Sequence, residues 1–244
     1  MSIILSCTEE LYYKKHKVKV GRSILSRALA KLKLNRKKLS VKSAEKGTPE
    51  SKKKRLEYLK EIQNYSAKQL IFIDEAGANL QMHPRYGRAY GAARATITAP
   101  YKRGNFMTIF GAISLNKIEA VTYTEGPGNS DAFTCFINDY LCPSLKSCHV
   151  VIMDNVSFHK AEKVRFAIES KGAKLIYSPP YSPEFSPIEE MWSKIKILLR
   201  KFSARTKKKF NEAITKALMA VTKSDLFGWF NHAGYIDQDF RELL

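Results

Sequence analysis

Apolar and polar positions follow two regimes along this chain, with a change near Asn64. Beyond that point, short unbroken apolar runs stand between turn residues. Leu70-Ile71-Phe72-Ile73 and the run from His149 to Met153 have the pattern of strands buried on both faces. Asn105 to Tyr123 reads as two strands joined by a turn at Leu115-Asn116-Lys117, and Lys174 to Tyr177 as a further short strand. Helical spacing marks Ser130 to Leu141, Lys160 to Ser170 with Gly172 as its stop, Pro187 to Phe202, and Lys208 to Val221. Hairpin strands followed by alternating strands and helices predict an α/β fold, a mixed sheet flanked by helices.

Before Asn64 the periodicity is helical and the charge is dense. Glu9 to His16 is a short helix candidate. A second runs from Arg22 to about Leu32, with Ile24, Leu25, Ala28, Leu29 and Leu32 on one face. Arg22, Ser23, Ser26, Arg27 and Lys31 gather around the other side. The pair fits a helix-turn-helix whose second helix reads DNA, and equally a solvated amphipathic helix. Ser40 to Lys60 mixes Gly, Pro, Ser and charge and reads as a linker running into a charged helix. The predicted division is a small all-α helix-turn-helix segment over 1–45, a basic linker over 46–66, and a catalytic domain with C-terminal helices over 67–244.

Charge narrows the partner. Forty-two Lys and Arg against 23 Asp and Glu give +19, which repels itself unless a polyanion shares the surface. Double-stranded DNA is the expected partner. A hydrophobic fraction of 44% furnishes a core and excludes global disorder. The four cysteines form no CxxC pair and read as reduced thiols, Cys135 and Cys142 packing from one helix. MSIILSC is too short for a signal peptide, and no apolar run approaches the ~20 residues of a membrane span. The expected location is cytoplasmic, nucleoid-associated when bound to DNA, with no membrane partner.

The candidate chemistry lies in carboxylates. LIFID ends at Asp74 and VVIMD at Asp154, so each carboxylate is expected at the carboxyl end of a central strand, where α/β sheets hold ligands. Paired strands lie ~4.8 Å apart, so these two would converge around a cation such as Mg²⁺. A lone strand-end Asp is also a common turn residue. The third carboxylate, Glu189, follows a segment stiffened by Pro179, Pro180, Pro183 and Pro187. Ser186-Pro187-Ile188-Glu189 matches a capping box, so Glu189 serves either the Ser186 backbone N–H or a metal at the helix start. Glu190, its acidic neighbour, should point ~100° away around the helix.

Asp74 in IDEAG, Asp154 in MDNVSFH and Glu189 in PPYSPEFSPIE resemble the DDE transposases of the mariner-like superfamily, bacterial insertion-sequence branch. The 34 residues between Asp154 and Glu189 match that group's Asp-Asp-34-Glu pattern. The resemblance covers roughly Leu70 to Lys201, and WFNHAGY (Trp229 to Tyr235) is similar to the family's C-terminal end. Ser186 stands where the family usually has Asn, and Ser178 where an apolar residue is common. The family usually has two helix-turn-helix units where this chain has room for one, so the resemblance implies an incomplete or split reading frame.

What the resemblance implies is a ribonuclease H-like core and cut-and-paste movement of a DNA element into TA sites. Asp74, Asp154 and Glu189 would hold two Mg²⁺ ions, Mn²⁺ being an alternative, for phosphodiester hydrolysis and strand transfer. The expected assembly is a homodimer on terminal inverted repeats and target DNA. Asn155 and His159 follow Asp154 in the family-like DNxxxH pattern and would sit near the site with Glu190; capping the next helix is their other reading. Arg85, Arg88, Lys102, Arg103 and Lys194 are candidate DNA contacts, and Trp192, Ile195, Leu199 and Phe202 candidate core. Two other readings share these features: a ribonuclease H-like nuclease that only cuts, and a truncated, non-enzymatic DNA-binding product. Serine or cysteine nucleophile chemistry has no motif to support it.

Overall fold

The computed structural model describes residues 5–34, 47–100, 106–154 and 162–237. The chain divides into two compact units, Met1–Lys42 and Ser43–Leu244. In the first, α1 (Leu5–His16) and α2 (Arg22–Lys31) pack together across a short turn. Lys17, left-handed at φ 56°, ends α1 by donating its N–H to the Tyr13 carbonyl at 2.8 Å. Leu25 is buried, but Ile24 and Leu32 of the same predicted face are exposed, because two short helices cover little area. Arg22, Ser23, Ser26, Arg27 and Lys31 all face solvent.

The larger unit begins with α3 (Pro49–Ile62). Thr48 caps it by accepting the Ser51 N–H, and Pro49 occupies the first turn, where its missing N–H costs nothing. The charged helix expected at the end of the linker is present, and it occupies most of the 46–66 span. The Lys and Glu residues of α3 form its solvated side, while Tyr58, Leu59 and Ile62 are buried in the core of the unit.

Five strands form one sheet in the order β3-β2-β1-β4-β5. They are β1 (Leu70–Asn79), β2 (Phe106–Ser114), β3 (Ile118–Glu125), β4 (Val150–Met153) and β5 (Lys174–Tyr177). The first three pair antiparallel, and β1, β4 and β5 pair parallel, so the sheet is mixed as predicted. Between β3 and β4, α4 (Ser130–Cys135) runs into a wider π-turn over Phe136–Leu141, dividing the one helix expected there. Cys142 is buried near its end, whereas Cys135 is exposed. The remaining helices are α5 (Glu162–Glu169), α6 (Pro187–Phe202), α7 (Lys207–Met219) and α8 (Lys223–His232). No helix among the described residues is long and apolar enough to cross a membrane.

Side chains alternate across β1, so each face of the sheet has its own core. Leu70 and Phe72 pack with α3, α6, α7 and α8, while Ile71 and Ile73 pack with α4, the π-turn and α5. Ile188, Met191, Trp192, Ile195 and Leu199 form the buried stripe of α6 at helical spacing. Phe202, read as core, is exposed in the last turn, just before the chain reverses at left-handed Ser203. The WFNHAGY segment closes this core. Tyr235 donates its hydroxyl to the Phe185 carbonyl at 2.6 Å and accepts from the Tyr58 hydroxyl at 2.7 Å. One buried chain of hydrogen bonds thus ties α3, the proline-rich segment and the region after α8 together.

Candidate active site

Asp74 lies midway along β1, not at its end as expected. The parallel pairing with β4 stops at Phe72 and Ile152, but antiparallel pairing with β2 continues through Asn79 and keeps β1 extended. The carboxylate therefore stands at the end of the parallel ladder while its backbone remains inside a sheet. Leu70 opposite Val150 and Phe72 opposite Ile152 set an offset that brings Asp74 level with Asp154, the residue just past β4. Both belong to the face covered by α6, and Glu75 belongs to the other.

Glu189 reaches the same place from the first turn of α6. The predicted capping box does not form. A short 3-10 turn over Pro183–Phe185 presents the Pro183 carbonyl to the Ser186 N–H at 2.9 Å, so that donor is already satisfied. The Ser186 side chain makes no cap bond either. Asp74, Asp154 and Glu189 line one cavity of about 310 Å³, walled by Phe72, Ile152 and the Ser178–Ser186 segment. Glu190 points elsewhere, to His232 at the end of α8.

Two residues position Asp74 that sequence reading did not assign to it. Trp192, read only as core, is buried and donates its indole N–H to Asp74 Oδ2 at 3.0 Å. The indole fits because Gly111, the β2 partner of Asp74, has no side chain; a Cβ there would meet Trp192 Cη2 at 2.6 Å. Gly111→Ala is expected to push the indole off the sheet and destabilise the protein by about 1–3 kcal/mol, readable by thermal unfolding. An unshifted Tm would show that the ring has room to move.

Burial, and then the charge of Glu189, push the Asp74 carboxyl up to about 7; the charges of Glu75 and Asp154 add to the rise, against a lowering backbone hydrogen bond at Glu75. An ionised Asp74 in this desolvated, like-charged place is thus an excess of negative charge that a cation would relieve. Three hard oxygen donors with this excess fit a divalent cation of the Mg²⁺ or Mn²⁺ type. Among the described residues, no three His, Cys, Asp or Glu side chains are already gathered at ligating distance. They face one cavity without closing on each other.

The other predicted residues scatter. Arg85 and Arg88 are exposed on the β1–β2 connection. Lys194 is paired with Asp225, a capping residue of α8, at 2.5 Å. Asn155, His159, Lys102 and Arg103 lie outside the described residues.

A mixed α/β sheet of this order, with three carboxylates lining one cavity at the end of its parallel ladder, is an arrangement suited to divalent-cation chemistry. The chain belongs to the DDE superfamily endonucleases, whose family model matches residues 69–211. No curated protein matches it by sequence. Among solved structures, a pre-cleavage Mos1 transpososome is similar over 98% of this chain and 79% of its own, at 12% identity and TM-score 0.73. The Mos1 mariner paired-end complex with Mn is similar over 95% and 75%, at 13% identity and TM-score 0.72. The catalytic domain of Mos1 mariner transposase gives 82% and 94%, at 11% identity and TM-score 0.60. The shared feature is the fold, a ribonuclease H-like core.

Proposed function

We propose that this endonuclease is a transposase of the bacterial insertion-sequence branch. It cuts DNA at the ends of a mobile element and joins them to target DNA at TA sites. The observation that carries the reading is the single cavity lined by Asp74, Asp154 and Glu189 in a DDE superfamily endonuclease. The 34-residue spacing of the last two supports the branch. The similar Mos1 structures include a paired-end complex with the left transposon end, a strand transfer complex, and complexes with Mg and Mn.

Asp74, Asp154 and Glu189 are the proposed ligands of two divalent ions. Such ions, when bound, supply the Lewis acidity that activates a water or 3′-hydroxyl and stabilises the leaving oxygen. The chain's own residues fix where this happens. Trp192 holds one oxygen of Asp74, so little ordering of that carboxylate is left for the moment of reaction, and the proline-rich wall directs the start of α6 to the same cavity. Arg22, Ser23, Ser26, Arg27 and Lys31 would read element ends from residues 1–45, and residues 67–244, with α3, would form the catalytic part. A homodimer across paired ends, acting on nucleoid DNA, is part of the same proposal.

The test uses the DNA that flanks the gene, searched for inverted repeats bounded by duplicated TA. Purified protein with a duplex of those ends and Mg²⁺ or Mn²⁺ is expected to nick at the repeat boundary and join the 3′ end to a TA-containing plasmid. Cutting without joining would make it another ribonuclease H-like nuclease. Binding without cutting under either metal would overturn the enzymatic reading.

A further inference from the structure

A second cavity, of about 400 Å³, lies further along β1 and α6 and is lined by Gly77, His83, Arg85, Lys196 and Arg200 among others. Its cations come from segments distant in sequence. Arg85 belongs to the β1–β2 connection, and Lys196 and Arg200 to α6, where they are half-buried. The connection is anchored by Arg205, which donates to the carbonyls of Leu80 at 2.9 Å and Met82 at 2.8 Å. His83 Nδ1 is held on the Gln81 carbonyl at 2.8 Å, which directs its other nitrogen away from that bond. Burial, then the charge of Arg85, lower the pKa of Arg200. Like charges are thus held close together around an open space, an arrangement that an anion relieves.

The position of this cavity is informative. Lys196 and Arg200 follow Glu189 by seven and eleven residues, near two and three full helical turns, so the three share one stripe of α6. At ~1.5 Å per residue they stand ~10 and ~16 Å from Glu189 along the axis. On β1, Ala78 lines the same cavity four residues beyond Asp74, ~13 Å at ~3.3 Å per residue. Both elements give the same interval, which spans about two nucleotides of one DNA strand, because the backbone winds around the axis and its phosphates stand roughly twice as far apart as the ~3.4 Å axial rise.

The geometry points to this cavity as a seat for a backbone phosphodiester of the DNA strand whose scissile bond lies at the carboxylates, about two nucleotides away. It fixes the register and direction of the strand and reads no base. The inference rests on the proposed cleavage of DNA only for the position of that strand. The phosphodiester contact itself does not require cleavage.

The experiment measures affinity for a fluorescein-labelled duplex of arbitrary sequence over a range of salt. Arg85→Gln, Lys196→Gln and Arg200→Gln are each expected to weaken binding about tenfold and to flatten the log K against log salt slope by about 1. Arg200→Lys should keep the slope. Lys171→Gln, beyond α5 on the other side of the sheet, should leave both quantities unchanged. Arg85 is exposed on a loop, so its variant carries the test if the α6 variants do not fold. Unchanged slopes in the Arg85 and Arg200 variants overturn the assignment. Inorganic phosphate that binds wild type tightly and the variants weakly, with duplex slopes unchanged, overturns it in favour of a free anion. On an element-end duplex, a neutral methylphosphonate about two positions from the cut should weaken wild type and have no effect in Arg200→Gln. A protein that binds duplex with the predicted slopes but never cuts removes the proposed function and leaves the phosphate seat standing.

Discussion

Glu189→Gln is expected to lower metal-dependent strand cleavage by about a thousandfold, ~4 kcal/mol of barrier, while leaving duplex binding intact. Glu190→Gln should stay near wild type. Its carboxylate is engaged with exposed His232, and surface pairs of that kind contribute ~0–1 kcal/mol. Steady-state cleavage of an element-end duplex separates the two residues; a fully active Glu189→Gln would remove it from the site. Asp74→Asn should be as inactive as Glu189→Gln, with a second signature. A carboxyl raised to about 7 from an ordinary value of 3.8 contributes stability that is complete below 3.8 and lost as pH rises through about 7. At pH 8 the charged form is therefore a cost to the metal-free protein, and the variant should melt several degrees higher than wild type. Mg²⁺ should raise the Tm of wild type and not that of the variant. A variant that melts lower at pH 8 would show that the Trp192 bond to Asp74 outweighs the repulsion.

Arg55→Met is expected to destabilise the larger unit by about 3 kcal/mol, roughly 6–12 °C in Tm. Arg55 is 3% exposed on α3. It donates to Ser182 Oγ at 2.7 Å and to Glu184 Oε1 at 2.5 Å, and its guanidinium lies 4.7 Å from the centre of the Phe185 ring. Removing it leaves a mostly buried carboxylate without that cation, in the segment that delivers Glu189. Cleavage should therefore fall even at temperatures where the variant is folded. Pairing it with Glu184→Gln removes that carboxylate's charge and should restore much of the Tm but less of the activity. Equal loss of Tm in the single and double variants would show that packing on Phe185, not charge, is the main contribution.

Much of this architecture is legible in local sequence, because strand and helix periods are local properties. The bounds of β5 and α6 match their apolar runs residue for residue, and the β2–β3 hairpin turns where expected. What escaped was set by partners far along the chain. Nothing in LIFID says that β1 runs on past Asp74, since the length of β2 decides that. Ser186 to Glu189 match a capping box by local sequence, but the Pro183 carbonyl accepts the Ser186 N–H instead. A charged helix after the linker is legible, but its burial is not, because that depends on partners such as Glu184, which Arg55 meets 129 residues away. Trp192 was placed in the core correctly by its spacing. Its second role as a donor to Asp74 depends on Gly111, which no periodicity singles out. One signal was available for α8, the Thr222 and Asp225 pair that forms its capping box.

The continuation of β1 past Asp74 makes the three carboxylates unequal in stiffness. Asp74 sits on backbone locked by β2, Asp154 stands where a ladder has ended, and Glu189 rides on a helix's first turn. Ordering a residue's backbone costs about 1–2 kcal/mol, and for Asp74 folding has already met that cost. It therefore acts as a fixed datum, and adjustment to ions of different radius falls to the other two. Amide hydrogen exchange should reveal the gradient, slow at Asp74 and faster at Asp154, with ion binding slowing the second far more than the first.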